Sequence, residues 1–264
     1  MPDAAPTGWH VTSLELAAAS EHLARTEALW QDVAAGRAGA TLRWYSYDRP
    51  ALVLGVGQRA EDLSRDKVRA HGIDIVKRSS GGTTVLANRD MLALDVAVPA
   101  PPGAIFADVV ESYRWLGDAA LRGLLAVAPT QSHRLTLVAP DEARDDQAAQ
   151  RFAPELSPGA MRARACFGVL SPYEVALVDP GVPPRKLVGL SQVRKRGVVL
   201  YQAGMYLRFT GASLAPYLVA DALPLAHELD RRVAALDSLS IANEGAVIDA
   251  LTHAIAAAMP QDGG

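Results

Sequence analysis

Hydrophobic positions near the start of the chain repeat with a helical period. Leu16, Leu23 and Trp30 are seven residues apart and fall on one face of a helix. This spacing predicts an amphipathic helix over residues 13–35. Glycines at 36 and 39 are expected to end it, because glycine readily adopts the left-handed conformation that terminates helices.

Beyond residue 40 the period changes to that of β-strands. Short apolar or alternating runs bounded by turn-forming residues are typical of strands. Strands are predicted at 41–47, 51–54, 73–77, 83–86, 91–98, 173–178, 186–193 and 198–209. Further helices are predicted at 61–71, 106–127 and 243–259. The acidic, proline-containing stretch 139–158 is interpreted as a surface loop.

This arrangement of strands and helices favours the α+β class. Successive strands joined by short turns, such as the hairpin turn at 194–197, form antiparallel pairs. We expect a mixed, largely antiparallel β-sheet flanked by helices. The chain is interpreted as a single domain, with a core of about 14–209 and a helical tail at 210–264.

The composition is that of a globular protein. Of 264 residues, 50% are hydrophobic and 21% are charged, and the formal net charge is −3. This balance excludes the basic excess of nucleic-acid-binding domains. No apolar run approaches the roughly 20 residues that span a bilayer, and no signal-peptide pattern begins the chain. One cysteine cannot form an internal disulfide. We expect a cytoplasmic protein that binds neither nucleic acid nor membrane, with a monomer as the simplest assembly.

A glycine pair preceded by two cations joins two of the predicted strands. The segment consists of Lys77, Arg78, Ser79, Ser80, Gly81, Gly82 and Thr83. Paired glycines let the backbone approach a ligand closely, and the cations can face a phosphate or a carboxylate. The loop is not a Walker A motif, because no Gly-Lys-Ser/Thr follows. A tight turn with exposed charges explains the same residues.

Lys186 lies early on an apolar predicted strand, and Gly189 follows three residues later. Regular alternation would place Lys186 and Val188 on one face, with Gly189 and Ser191 on the other. Such a lysine either reaches solvent or occupies a pocket where it holds an anion or an acyl carbonyl. The sequence Gly-Leu-Ser at 189–191 lacks the closing glycine of a nucleophile elbow, which argues against a serine hydrolase.

Cys166 is the only cysteine in the sequence. A lone free cysteine is most often a small buried hydrophobic residue. No Cys/His cluster has the spacing of metal ligands, so no metal site is expected. The alternative is a nucleophilic thiol, which a nearby cation would activate.

Taken in order, four segments resemble motifs of the biotin/lipoate protein ligase family, specifically its lipoate ligase and octanoyltransferase branches. The segment ending at Gln58 resembles x-G-x-x-Q, and 77–82 resembles R-R-x-S/T-G-G. Residues 166–174 resemble C-F-x-x-x-S-x-Y-E, and 185–192 resembles G-R-K-I-x-G-S-A-Q. Each match is weak alone, but the ordered set covers roughly residues 14–209.

The resemblance implies a mixed sheet with an acyl tunnel beside the glycine pair. Family members attach octanoate or lipoate to a lysine of lipoyl domains, which occur on the glycine cleavage H protein and on 2-oxoacid dehydrogenase E2 subunits. Octanoyltransferases take the acyl group from acyl carrier protein through a cysteine thioester and require no cofactor. Ligases instead activate free lipoate with ATP and Mg²⁺.

On this resemblance, Cys166 is the expected nucleophile and Lys186 the expected catalytic cation beside it. The expected substrate-binding residues are Gln58, Arg78, Ser79, Ser80, Gly81, Gly82, Thr83, Tyr173, Gly189 and Ser191. The chain departs from the family pattern at Ala87, where a histidine often stands, and in the longer turn at 179–184.

Three functions are therefore considered. The first is an octanoyl or lipoyl transferase that uses Cys166. The second is an ATP-dependent lipoate ligase, and the third is a non-catalytic family member that binds a lipoyl domain or a fatty acid. The basic turn at 194–196 offers a docking surface for an acidic carrier protein, although a solvated turn is an equal alternative.

Overall fold

The computed structural model of the protein describes residues 8–100, 108–155, 157–219, 221–241 and 243–259. The strands are β1 (His10–Ala17), β2 (Thr41–Tyr47), β3 (Ala51–Leu54), β4 (Asp74–Lys77), β5 (Val85–Ala87), β6 (Met91–Pro99), β7 (Leu135–Leu137), β8 (Val175–Leu177), β9 (Arg185–Lys195) and β10 (Val198–Tyr206). The helices are α1 (Ala19–Ala34), α2 (Arg65–Ala70), α3 (Arg114–Val127), α4 (Pro140–Arg151), α5 (Pro158–Met161), α6 (Gly211–Leu218), α7 (Ala222–Asp230) and α8 (Glu244–Ala258).

The strands form two sheets. Seven strands lie in the order β1-β2-β6-β10-β9-β8-β7, and three lie in the order β4-β3-β5. Pairing is antiparallel except between β1 and β2 and between β3 and β4. The predicted α+β fold with a mixed, largely antiparallel sheet is confirmed.

The two faces of the seven-stranded sheet pack against different partners. Because side chains alternate along each strand, β2, β6 and β10 contribute to both faces. One face packs against α3 and α8 around Trp44, Leu94 and Leu116. The opposite face packs against α1 and the three-stranded sheet, and Tyr45, Met91 and Tyr206 lie there. This second face carries the candidate site.

The predicted helix over 13–35 is wrong at its start. Residues 10–17 form β1, which pairs in parallel with β2, and α1 begins only at Ala19. Leu16 had completed the helical spacing, but it lies on an edge strand and is 45% exposed. Main-chain pairing with β2 decided the conformation of this segment, which its side-chain spacing alone could not indicate.

The interpretation of 139–158 as a surface loop is also wrong. Residues Pro140–Arg151 form α4, with Pro140 and Asp141 in its first turn and Arg151 in its last. Proline is well tolerated at a helix start, and these charges complement the helix dipole, so the local signals of a helix were present. The high acidic content had favoured a loop.

Helices that follow residue 209 contribute buried side chains to the hydrophobic cores. Leu214 and Leu218 of α6 and Leu225 of α7 pack with Leu52 and Leu54 of β3. The predicted C-terminal helix is present as α8, which packs against α3. The predicted helix over 106–127 begins at Arg114 as α3, after a 3₁₀ turn, and residues 106–107 lie outside the described residues.

The described helices include none that is both long enough and apolar enough to cross a membrane.

Candidate active site

Strand register places side chains of four strands in rows that cross the second face of the large sheet. One row is polar and consists of Arg43, Asp95, Gln202 and Ser191. The neighbouring row consists of Tyr45, Ala93, Gly204 and Gly189. Since three of the four residues in the second row are Gly or Ala, a channel remains above the sheet at that row.

An apolar pocket lies over this second row. It is lined by Ala19, His22 and Leu23 of α1 and by Val53, Val85, Met91 and Phe167, among others. Burial lowers the pKa of His22 and raises the pKa of Tyr47, so both side chains are neutral near pH 7. The pocket therefore suits a linear apolar group.

Cys166 lies where this apolar pocket meets a second, more polar pocket. The second pocket, called here the outer pocket, is lined by Gly81–Thr83, 109–110, Tyr113, 171–172, Glu174, Lys186 and 190–192, among others. Cys166 lines both pockets and is partly exposed. A group bound in the apolar pocket can therefore reach the sulfur from one side while a second molecule approaches from the other.

The backbone around Cys166 is held in place from two directions. Its N–H donates to the carbonyl of Thr84 at 2.9 Å, and the N–H of Thr84 donates to the carbonyl of Arg164 at 3.1 Å. The cysteine begins a 3₁₀ turn, Cys166–Gly168. A side chain at Gly168 would lie 2.1 Å from the carbonyl oxygen of Arg162, so only glycine fits this turn.

Asp146 of α4 connects to this turn through Arg162. The guanidinium of Arg162 donates to both carboxylate oxygens of Asp146, at 2.8 and 3.0 Å, and to the carbonyl of Gly168 at 2.6 Å. Asp146 also accepts from the N–H of Leu170 at 3.0 Å. Burial alone raises the pKa of Asp146, but these donors outweigh it, and the pKa lies below its usual value.

Lys186 is buried beside Cys166. Its Nζ donates to the carbonyl oxygen of Cys166 at 2.8 Å and lies 2.7 Å from a carboxylate oxygen of Glu174. Glu174 also accepts from the N–H groups of Ser171 and Leu190, at 2.7 and 3.1 Å. Burial raises the pKa of Glu174, while these three donors favour its charged form. Lys186 is thus held by a carboxylate on the outer-pocket side.

The predicted alternation of faces along this strand is wrong at Lys186. The pairing of β8 with β9 shifts register between Val188 and Lys186, as at a β-bulge. Leu187 and Val188 consequently both pack into the helical core, and a side chain at Gly189 would lie 3.7 Å from Lys186. The register shift brings Lys186 onto the site face together with Gly189.

Arg78 organises the glycine pair. Its guanidinium donates to the carbonyls of Gly81 and Thr83, at 2.8 and 3.1 Å, and Nη2 lies 3.7 Å from Sγ of Cys166. Gly82 has a φ of +90°, and a side chain there would lie 2.6 Å from Nη2. A side chain at Gly55 would lie 1.8 Å from the carbonyl oxygen of Gly82, so both glycines are required by close approach.

The loop is connected to the polar row of the sheet. Ser80 donates to Gln202 at 2.6 Å, and Ser191 donates to Ser80 at 3.2 Å. Gln202 in turn donates to Asp95, which is fully buried and paired with Arg43 at 2.6 Å. Gln58 accepts from the N–H of Gly55 and the hydroxyl of Thr84. These bonds fix the loop relative to the sheet.

Ten of the twelve predicted site residues gather around the two pockets or hold the loop between them. They are Cys166, Lys186, Gln58, Arg78, Ser80, Gly81, Gly82, Thr83, Gly189 and Ser191. Ser79 is exposed on the loop. Tyr173 lines neither pocket. Its hydroxyl donates to Glu111, and its φ is positive, at 63°.

Several residues of the site were not anticipated from the sequence. Glu174 is the last residue of the segment that resembles C-F-x-x-x-S-x-Y-E, so the sequence did contain an indication of its role. Asp146, Arg162 and Gln202 had none, because each acts through a partner distant in the chain or across the sheet. Within the described ranges, no group of three or more His, Cys, Asp or Glu side chains is arranged to hold a metal ion.

Comparisons with known proteins match most of the chain. A model of the lipoyl protein ligase A/B catalytic domain matches residues 18–258. Octanoyltransferase LipM of Exiguobacterium sp. strain AT1b is 32% identical over 202 residues, which cover 76% of this chain and 66% of the relative. Octanoyltransferase LipM of Exiguobacterium sibiricum is 33% identical over 202 residues, which cover 75% of this chain and 66% of that relative. The chain thus spans just under two thirds of the length of these curated relatives.

The fold is also similar to that of a solved structure. The bipartite lipoate protein ligase of Thermoplasma acidophilum, described together with its E2 lipoyl domain, has a TM-score of 0.68 at 18% identity. The match covers 95% of this chain and 83% of that one. At this identity the likeness establishes the fold alone.

Proposed function

The chain belongs to the lipoyl protein ligase A/B catalytic domain family, and from that premise we propose that it is an octanoyltransferase of protein lipoylation. In this proposal Cys166 accepts an octanoyl or lipoyl group from acyl carrier protein, or from another lipoyl domain, and passes it to a lipoyl-domain lysine. The names of the two Exiguobacterium relatives support octanoyl transfer.

The position of Cys166 carries the proposal. The sulfur lies between an apolar pocket, which suits an acyl chain, and an outer pocket, which is open to an approaching partner. A ligase that forms an acyl-adenylate needs no nucleophile at this point. A thioester enzyme does need one, since the acyl group must remain attached while the donor leaves and the acceptor arrives.

The reaction has two half-reactions. The thiolate of Cys166 attacks the thioester carbon of the donor, a new S–C bond forms, and the donor thiolate leaves and takes a proton from solvent. The neutral amine of the acceptor lysine then attacks the same carbon. The S–C bond to Cys166 breaks, an amide forms, and the amine loses its proton to solvent. Lys186 faces the outer pocket, where its charge stabilises the oxygen that becomes negative in each step.

The proposed partners follow from this scheme. They are acyl carrier protein as donor and the lipoyl domains of the glycine cleavage H protein or a 2-oxoacid dehydrogenase E2 subunit as acceptor. No cofactor is proposed for the transfer, and a cytoplasmic monomer is the proposed working form. A single catalytic domain is proposed, since elements from both sides of residue 209 share the same cores.

Intact mass measurement tests the proposal. The protein is incubated with octanoyl carrier protein in the absence of ATP, and an octanoyl adduct on Cys166 is expected. Addition of a lipoyl domain should remove the adduct and acylate the domain. Cys166→Ser, which nearly preserves the side-chain size, is the matched control and should form no adduct under the same conditions. Full transfer by this variant would refute the proposal.

The same experiment separates the two alternatives. If no adduct forms, ATP and lipoate are added, and lipoate-dependent release of pyrophosphate would assign the chain as a ligase. Binding of a lipoyl domain or fatty acid without turnover in either assay would assign it as a non-catalytic family member.

A further inference from the structure

Arg78 is a buried cation that has no carboxylate partner among the described residues. The residue is only 8% exposed to solvent. Its hydrogen-bond acceptors are the carbonyls of Gly81 and Thr83 and the sulfur of Cys166. In the described part of the chain, no carboxylate lies within ion-pair distance of its guanidinium. Buried charges in proteins are normally paired, so a counter-charge for Arg78 is to be expected.

The other buried cation at the site is already balanced. Nζ of Lys186 is 2.7 Å from Glu174, and both side chains are 2% exposed. Nζ of Lys186 also donates a hydrogen bond to Cys166, but the acceptor is the backbone carbonyl oxygen and not the sulfur. Of these two cations, Arg78 is the one whose hydrogen bond is directed at Sγ, at 3.7 Å.

The glycine pair leaves room for this contact. A side chain at Gly82 would lie 2.6 Å from Nη2 of Arg78 and 3.2 Å from Sγ of Cys166, directly between the two groups. The absence of a side chain at this position therefore allows the guanidinium and the sulfur to approach each other. Nη2 has two hydrogens for three acceptors, and an ionised sulfur is the strongest of these acceptors.

We propose that Arg78 is the catalytic cation that stabilises the thiolate of Cys166, while Lys186 serves the acyl carbonyl and the outer pocket. This inference rests on the proposed function. It adds a second cation to the expectation that Lys186 acts beside the nucleophile. The thiolate is the nucleophile in the first half-reaction and the leaving group in the second, so the same contact assists both steps.

The test measures the thiol without any acyl donor. Because Cys166 is the only cysteine, the rate of alkylation by iodoacetamide reports on this sulfur alone. The rate is recorded from pH 5 to pH 10 for the wild-type protein and for Arg78→Gln, Arg78→Lys and Lys186→Gln. Circular dichroism and thermal unfolding establish that each variant is folded.

Arg78→Gln should slow alkylation at pH 7 by about tenfold and move the rising part of the profile to higher pH, since a charge-assisted hydrogen bond is lost. Arg78→Lys retains the charge and should restore part of the rate. Lys186→Gln should shift the profile less than Arg78→Gln does, because Lys186 contacts the carbonyl oxygen of Cys166 and not its sulfur. If Arg78→Gln does not fold, Arg78→Lys against wild type gives the measurement, with a smaller slowing in the same direction.

Arg164→Gln is the matched control. This arginine is two residues before Cys166 in sequence, but it donates to the carbonyl of Leu218 at 2.9 Å and has no bond to the sulfur. Its removal should leave the profile unchanged. An equal shift in Arg164→Gln would indicate a general field of positive charge and would overturn the proposal.

Two other results would overturn it. One is an unchanged alkylation profile in folded Arg78 variants. If the KM of these variants for octanoyl carrier protein rises at the same time, the role of Arg78 is to bind the donor. The other is a shifted profile in Lys186→Gln alone. Alkylation requires no transfer activity, so failure of the octanoyl assay leaves this test intact, and failure of this test leaves the proposed function open to its own assay.

Discussion

Two buried cations flank the residue that carries the proposed chemistry, and they are balanced in different ways. Lys186 has Glu174 as its partner, and Glu174 is further held by two backbone N–H groups. Taking two charges out of water is unfavourable, and a buried pair compensates for this only while both members are present. The stability of the site at this point therefore depends on the pair as a unit.

We expect Glu174→Gln to lower the free energy of unfolding by about 3–5 kcal/mol, because the ammonium of Lys186 is left buried without a counter-charge. Urea unfolding measures the loss. The double variant Glu174→Gln/Lys186→Met should lose less than the sum of the two single variants. Glu27→Gln, at an exposed position on α1, is the control and should change stability little. Additive losses would contradict this account of the pair.

At the scale of elements, α4 holds the turn that contains the cysteine. Asp146 is bonded to Arg162 on one side of the turn and to the N–H of Leu170 on the other. Its carboxylate has a lowered pKa because the hydrogen bonds from Arg162 and Leu170 outweigh the effect of burial. The stabilisation is therefore complete above the ordinary Asp pKa of about 3.9 and is lost as pH falls through the lower pKa of the folded state.

We expect Asp146→Asn to lower the free energy of unfolding by about 3 kcal/mol at pH 7, since Arg162 is 1% exposed and loses the carboxylate to which it donates two hydrogen bonds. The difference from wild type should shrink as pH falls below about 4. Urea unfolding between pH 3 and pH 7 measures both effects. Asp145→Asn, the exposed neighbour, is the control. A difference that stays constant down to pH 3 would count against the ion pair.

Met91 of β6 and Gly204 of β10 both line the apolar pocket. A side chain at Gly204 would lie 2.5 Å from the end of Met91, so the methyl group of Gly204→Ala must displace that side chain and itself occupies part of the pocket. Loss of space for one or two methylene groups corresponds to about 1–2 kcal/mol, or roughly tenfold in rate. We expect octanoyl transfer to slow by about this factor while butanoyl transfer changes little. Equal slowing of both would show that the pocket does not select chain length here.

At the scale of the molecule, the two faces of the large sheet have separate tasks. The face under α3 and α8 packs into a largely apolar core, and Leu251 of α8 packs against Gly123 of α3 within it. The other face carries the pockets and the polar row. Packing on the first face stabilises the sheet whose register positions residues on the second.

We expect Leu251→Ala to lower the free energy of unfolding by about 2–5 kcal/mol, because Leu251 is 1% exposed and a cavity is left. In the folded protein, the pH profile of Cys166 alkylation should match that of wild type. Leu223→Ala, at a position that is 64% exposed, is the control for stability. A changed alkylation profile would show that the two faces are coupled more closely than the packing indicates.

The local pattern of the chain was enough to predict much of this architecture. The strands at 41–47 and 51–54 have the bounds that were predicted, and the α+β class followed from strands joined by short turns. The family resemblance placed Cys166, Lys186 and the glycine pair together. These features depend on residues close in sequence or on motifs in a set order, so they can be recognised without coordinates.

Contacts between distant residues decided the rest. Arg78 and Cys166 are 88 positions apart, and only the folded chain brings the guanidinium to the sulfur. The register shift in β9 depends on its pairing with β8, and it moved Lys186 to the other face. Residues 10–17 form a strand because their backbone pairs in parallel with β2. Hydrogen bonding across strands and burial of charge are properties of the assembled molecule, and a one-dimensional pattern does not contain them.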